Sequence, residues 1–170
     1  KSSGQQIFFN DGTGKFLTVT TSLLPTGTTL TYEAEAADLD HDGDLDLTML
    51  SVSGLTDTVI RNNLVPSGTL SFTSLTTALT GGNGDDDNEW AFVDANNDGW
   101  LDLVNGSLQS NGDKLYLNNG AFSFARQTGN AGFSPLVDST LDVAVGDLNG
   151  DGVFDVVTAQ GESGSFLNRA

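Results

Sequence analysis

The chain has no cysteine, so a disulfide framework, a thiolate metal centre and a cysteine nucleophile are all excluded. It holds one histidine and six basic residues with no repeat-linked cluster among them, which argues against an enzyme and leaves no catalytic residue to name. Against those six stand 23 acids, a formal net charge of −17 that disfavours nucleic acid and anionic lipid surfaces as partners. No run of about eighteen apolar residues offers a membrane span. The start Lys1-Ser2-Ser3-Gly4 has no signal-peptide hydrophobic region, so the chain reads as mature or excised. Proline is scarce at 3, while Gly 21 and abundant Thr, Ser, Asn and Asp predict many tight turns between short strands.

The acids are not spread evenly. Eleven of the 23 fall in three segments, Asp38-Leu-Asp-His-Asp-Gly-Asp-Leu-Asp46, Asp94-Ala-Asn-Asn-Asp-Gly-Trp-Leu-Asp102 and Asp147-Leu-Asn-Gly-Asp-Gly-Val-Phe-Asp155, whose first residues are 56 and 53 positions apart. A second marker keeps the same period: Ile7-Phe-Phe-Asn10, Val59-Ile-Arg-Asn62, Leu115-Tyr-Leu-Asn118 and Ser165-Phe-Leu-Asn168. The flanks of each acidic segment alternate in polarity with period two, as in Leu45-Asp-Leu-Thr-Met-Leu50, which predicts strands.

Four strands per repeat of this length predict an all-β fold of β-propeller blades, each of four antiparallel strands; a linear solenoid is the structural rival. The units read as 33–75 and 89–127, with the outer strands of one blade at 5–21 and the inner strands of another at 141–168. In the second unit the strands fall near Glu89 to Val93, Leu101 to Asn105, Lys114 to Asn118 and Ala121 to Arg126, with Asn118-Asn119-Gly120 as a hairpin signal. Merging the two ends into one blade would duplicate its third strand. The expectation is therefore about three blades of a larger propeller, completed by the remainder of a longer chain or by other chains.

Each acidic segment places oxygen side chains at positions one, three, five and nine of a nine-residue turn, with glycine at position six where a Cβ would resist a sharp bend. A hard cation such as calcium takes six to eight oxygens, and alternating positions of a tight loop can aim side chains inward. The side-chain ligands expected are Asp38, Asp40, Asp42 and Asp46; Asp94, Asn96, Asp98 and Asp102; and Asp147, Asn149, Asp151 and Asp155. Position seven is expected to add a backbone carbonyl, from Asp44, Trp100 and Val153. Position twelve is Met49, Asn105 and Thr158, not the bidentate Glu of an EF-hand, and the flanks are strand-like rather than helical. Three Ca2+ sites are expected. By count of carboxylates, loop 1 should bind most tightly if the loops are equally rigid.

These motifs resemble the FG-GAP or VCBS repeats of integrin α-subunit propellers and of many bacterial secreted proteins. The resemblance implies that each loop joins a blade's first and second strands and holds calcium for rigidity. The Phe-Gly and Gly-Ala-Pro signatures of the integrin version are not evident, so the bacterial VCBS type is the closer match. It further implies a secreted or cell-surface module for binding or adhesion, with a protein or glycan ligand. A lectin-like carbohydrate-binding propeller and the non-catalytic part of a polysaccharide-modifying enzyme are the alternatives.

Other residues have plainer readings. Glu33, Glu89 and Asp142 sit five positions before each loop and read as strand starts facing water, or as a partial acidic ring at the mouth of a central channel on the strand face turned from the neighbouring blade. The stretch Gly81-Gly-Asn-Gly-Asp-Asp-Asp87 looks like one copy of a calcium-binding β-roll repeat, but a single copy reads as a rim loop. Trp90 and Phe92 are expected between blades, Trp100 in rim packing, and His41 in solvent.

Overall fold

The computed structural model describes residues 5–18, 23–25, 30–52, 54–81, 85–108, 112–128 and 139–161. β1 (Phe8–Asn10) and β2 (Phe16–Thr18) form an antiparallel pair. The first full sheet has the spatial order of the chain itself: β3 (Thr31–Ala37), β4 (Asp46–Ser51), β5 (Thr58–Asn62) and β6 (Phe72–Leu75), all antiparallel. A single helical turn, α1 (Leu64–Ser67), lies in the β5–β6 connection.

The second sheet repeats this order with β8 (Asp87–Val93), β9 (Asp102–Ser107), β10 (Lys114–Asn118) and β11 (Phe124–Arg126). Its outer edge gains β7 (Leu79–Thr80), which pairs parallel to β11 as the chain leaves the first sheet. The sequence did not signal this strand. It ties the outermost strand of one sheet to the exit of the other and covers an open edge. Finally β12 (Thr140–Gly146) pairs with β13 (Asp155–Gln160). The third strand expected at Ser165 to Asn168 lies outside the described residues.

The architecture is thus all-β, of β-propeller blades built as four-stranded antiparallel sheets, and successive sheets pack face to face. Between the first two blades Ala37, Leu39, Leu50 and Val59 meet Trp90, Leu103, Tyr116 and Phe124, with Phe92 packed against them. Trp90 and Tyr116 meet edge-on with ring centroids 5.8 Å apart. Between the second and third, Ala91, Val93 and Val104 meet Val143. Alternation along β8 sends Trp90 to one neighbour and Ala91 to the other. Both faces of an innermost strand are therefore blade–blade surfaces, which corrects the expectation that one face approaches a channel.

The repeat also sets polar contacts at these seams. Asp57 Oδ1 accepts the Ser51 N–H (2.8 Å), and 56 residues on Asp113 Oδ1 accepts that of Ser107 (3.0 Å). The second carboxylate oxygen of Asp113 takes the Thr140 hydroxyl of the next blade (3.0 Å). Asp57 instead meets Asp87, a second acid at the repeat position where β3 and β12 have Thr31 and Thr140. Burial, with repulsion from Asp87 behind it, pushes the Asp57 carboxyl up to about 7. The compensation is Lys114, fully buried and paired with Asp87 and with Asp85 (3.1 Å). Asp85 and Asp87 are therefore committed to an internal lysine, not displayed as β-roll calcium ligands; residues 82–84 lie outside the described residues.

Candidate metal sites

All three acidic segments adopt one hydrogen-bonded turn between the first and second strands of their blades. The position-six N–H bonds the position-one carboxylate: Gly43 to Asp38 (3.2 Å), Gly99 to Asp94 (2.9 Å) and Gly152 to Asp147 (2.9 Å). The position-five N–H bonds the position-three oxygen: Asp42 to Asp40 (3.3 Å), Asp98 to Asn96 (3.0 Å) and Asp151 to Asn149 (2.8 Å). The position-seven N–H bonds Oδ1 of position five, from Asp44, Trp100 and Val153 at 3.0, 2.9 and 2.8 Å. The position-six glycines have φ of 96°, 92° and 86°, as the required bend predicts. Position four is left-handed as well, with His41 and Asn97 at 58° and Gly150 at 78°. Asn and Gly at that position were a readable signal for it.

The position-nine aspartates have a further structural duty. Asp46 Oδ2 accepts the Leu39 N–H (3.0 Å) and Oδ1 the Asn62 N–H (2.9 Å). Asp102 does the same with Ala95 (2.9 Å) and Asn118 (2.8 Å), and Asp155 Oδ2 accepts the Leu148 N–H (3.0 Å). Asn62 and Asn118, the recurring asparagines of the third strand, return the contact by donating from Nδ2 to the carbonyls of Leu45 and Leu101. The two sequence markers are therefore halves of one lock. Burial lifts Asp46 to about 6 despite its two N–H donors, and raises Asp102 for the same reason.

In loop 1 three acids converge. Ligand oxygens of Asp38, Asp40 and Asp42 lie within 4.8 Å of one another. Asp38 Oδ1, Asp42 Oδ2 and Asp44 Oδ1 are shielded from solvent without a hydrogen-bond partner. Burial, then repulsion from Asp42, raises Asp40. Acceptor-only oxygens crowded in this way fit a hard divalent cation, for which Asp38, Asp40 and Asp42 are the ligands within reach. The Asp44 side chain is buried and accepts the Val65 N–H of α1 (2.8 Å). In loop 2, Asp94, Asn96 and Asp98 form the same turn but are more open, with Asn96 Nδ2 donating to Asp98 (2.9 Å). In loop 3, Asp147, Asn149, Asp151 and Val153 are exposed, and the Gly152 N–H leads several donors in lowering Asp147.

Loops 1 and 2 touch. His41 stacks on Trp100, centroids 4.4 Å apart and rings inclined by 19°. Trp100 also lies over Gly120, where an added Cβ would sit 2.3 Å from the indole, which explains glycine in that hairpin. His41 is exposed yet engaged, and Trp100 packs at the rim. Asn118 Nδ2 reaches back to the Leu39 carbonyl of loop 1 (3.0 Å). Arg61, which sequence reasoning passed over, places Nη2 3.0 Å from Asp40 Oδ2 and 3.6 Å from Asp42 Oδ2. Its signal was a cation where the other copies of that marker carry Phe9, Leu117 and Leu167.

A separate acidic group lies at the strand starts. Oxygens of Glu33, Glu35 and Glu89 come within 4.8 Å, and Glu33 Oε2 accepts the Trp90 N–H (2.8 Å). Burial, aided by Glu89, pushes Glu33 up to about 9, and burial raises Glu89 as well. Asp142 lies near enough to add to the raised value of Glu89. Glu33 and Glu89 thus meet at a blade seam, while Asp142 stays exposed as a strand start facing water.

No curated protein matches the chain. The sequence profile of the FG-GAP-like repeat family matches residues 2–49 and 94–158, segments that contain all three acidic loops and together cover well over half of the chain. With the blades and the loop geometry, this match shows that the chain belongs to the FG-GAP-like repeat family.

Proposed function

We propose that the chain is a calcium-stabilised propeller module of VCBS type that serves extracellular binding or adhesion rather than catalysis. Calcium would be held by Asp38, Asp40 and Asp42, by Asp94, Asn96 and Asp98, and by Asp147, Asn149 and Asp151. The position-nine aspartates and the position-seven carbonyls would complete each set. The observation that carries this reading is the convergence of three loop 1 carboxylates, among whose shielded oxygens Asp38 Oδ1 is left without a partner. Burying such oxygens costs free energy unless a cation or donor meets them. Loops 2 and 3 repeat the same backbone turn, which extends the reading to them.

When bound, calcium would supply charge neutralisation and cross-bracing of each turn. The lock formed by Asp46 with Asn62, and by Asp102 with Asn118, carries that rigidity into the third strand of the blade. An extracellular setting is supported by the large acid excess, since modules outside cells can rely on calcium sites of 10⁻⁴–10⁻³ M affinity. Calorimetric titration with calcium chloride, paired with thermal unfolding, tests the reading. It expects about three calcium ions per chain and a melting temperature that falls on chelation. No heat of binding and an unchanged melting temperature in millimolar calcium would refute it.

A further inference from the structure

The three loops share their turn but differ in what meets their outward oxygens. In loop 1, Asp40 and Asp42 each spend Oδ1 on a backbone N–H, and both remaining Oδ2 atoms face the guanidinium of Arg61. Among the described residues no other loop has a basic side chain on its carboxylates. Arg61 is also held from the far side, with its Cζ 5.5 Å from the ring centroid of Phe122 in the second blade. The guanidinium thus arrives pre-positioned, at a point where the unspent oxygens of positions three and five converge.

We propose that Arg61 is an internal counter-cation that competes with calcium for loop 1, so that this loop fills last although it has the most carboxylates. The inference rests on the calcium reading above. A tethered cation has a high effective concentration at its partner and must be exchanged before another can enter. After exchange its charge stays on the short arc between Asp40 and Phe122, where it repels a divalent ion. Of the acids that loop 1 has beyond the other two loops, Asp40 is the one Arg61 meets and Asp44 gives its Oδ2 to the Val65 N–H. Among the described residues, loops 2 and 3 have no basic side chain to exchange. On this proposal the order of filling is the reverse of the one expected from carboxylate count alone.

The amides of Gly43, Gly99 and Gly152, each bonded to a position-one carboxylate, give one reporter per loop for an NMR titration with calcium chloride. In the wild-type chain Gly99 and Gly152 should respond first, and Gly43 at calcium concentrations roughly tenfold higher. Arg61→Leu, the residue that the second unit carries at this position, should bring the Gly43 midpoint down about tenfold and leave the other two within twofold. Arg61→Lys, which keeps the charge, should stay near wild type; if the leucine variant does not fold, Arg61→Gln makes the same test. A Gly43 midpoint at or below the others, or one unmoved by removing the charge, overturns the inference while leaving the calcium reading intact. No response from any of the three amides means that the calcium reading itself has failed, and the inference falls with it.

Discussion

Loop 1 and loop 3 are the same turn in two surroundings. The turn-defining hydrogen bonds of loop 1 all recur in loop 3, which adds the Gly150 and Asp151 N–H groups on Asp147, yet Asp40 is raised by burial and repulsion while Asp147 is lowered by its N–H donors in open solvent. The neighbour makes the difference. Leu39, at position two of loop 1, is 0% exposed beneath the second blade, whereas Leu148 at the same position of loop 3 is 67% exposed. Nine residues are enough to specify the shape of the turn, but its electrostatics belong to the seam it enters.

The largest expected effect tests this contrast at position nine. Asp46→Ala removes the acceptor of two buried N–H groups and should cost about 4 kcal/mol in chemical denaturation, whereas Asp155→Ala should cost about 1 kcal/mol. Equal costs would mean that the seam adds nothing to the lock. Next in size is Lys114→Thr, which leaves Asp87 buried and unpaired and should destabilise by about 3 kcal/mol. Adding Asp87→Thr rebuilds the Thr31 and Thr58 arrangement of the first blade and should return stability to within about 1 kcal/mol of wild type. A double variant as weak as the single would show that Lys114 is not there to answer Asp87.

Much of this was legible in advance because it is local. The period of the acidic segments, the glycine at position six and the alternating flanks each encode a backbone requirement within a few residues. What escaped notice depends on a partner far along the chain. Arg61 reads as an ordinary strand residue until the fold brings Asp40 and Asp42 beside it. Nothing in Leu79 and Thr80 announces a parallel strand, because their pairing needs β11, more than forty residues on. Glu33 is a strand start by pattern, and only the approach of Glu89 and Trp90 makes it a half-buried acid. The link between the two repeat markers was also missed, since the Asp46 to Asn62 lock crosses the whole β4–β5 hairpin.

Smaller effects probe the seam further. Between about pH 4.5 and 9 the folded state binds more protons at Glu33 than the unfolded chain does, so stability should fall as pH rises through that window. Glu33→Gln should flatten this slope and raise the melting temperature at pH 8 by roughly 2–4 °C, with little change at pH 4.5. A slope unchanged by the substitution would place the titrating group elsewhere. Smallest is His41→Ala, which removes the stack on Trp100 at a partly exposed site and should cost about 0.5–1 kcal/mol, with a shift in tryptophan emission. No emission change would separate the two loops.

The most direct measurement is a crystal structure grown with calcium in large excess over the protein. Ion density with oxygen contacts near 2.3–2.6 Å is expected in all three turns, centred on Asp38, Asp40 and Asp42 and on their counterparts in loops 2 and 3. Turns that keep their backbone hydrogen bonds around nothing heavier than water, with Arg61 still seated on Asp40, would contradict the metal assignment.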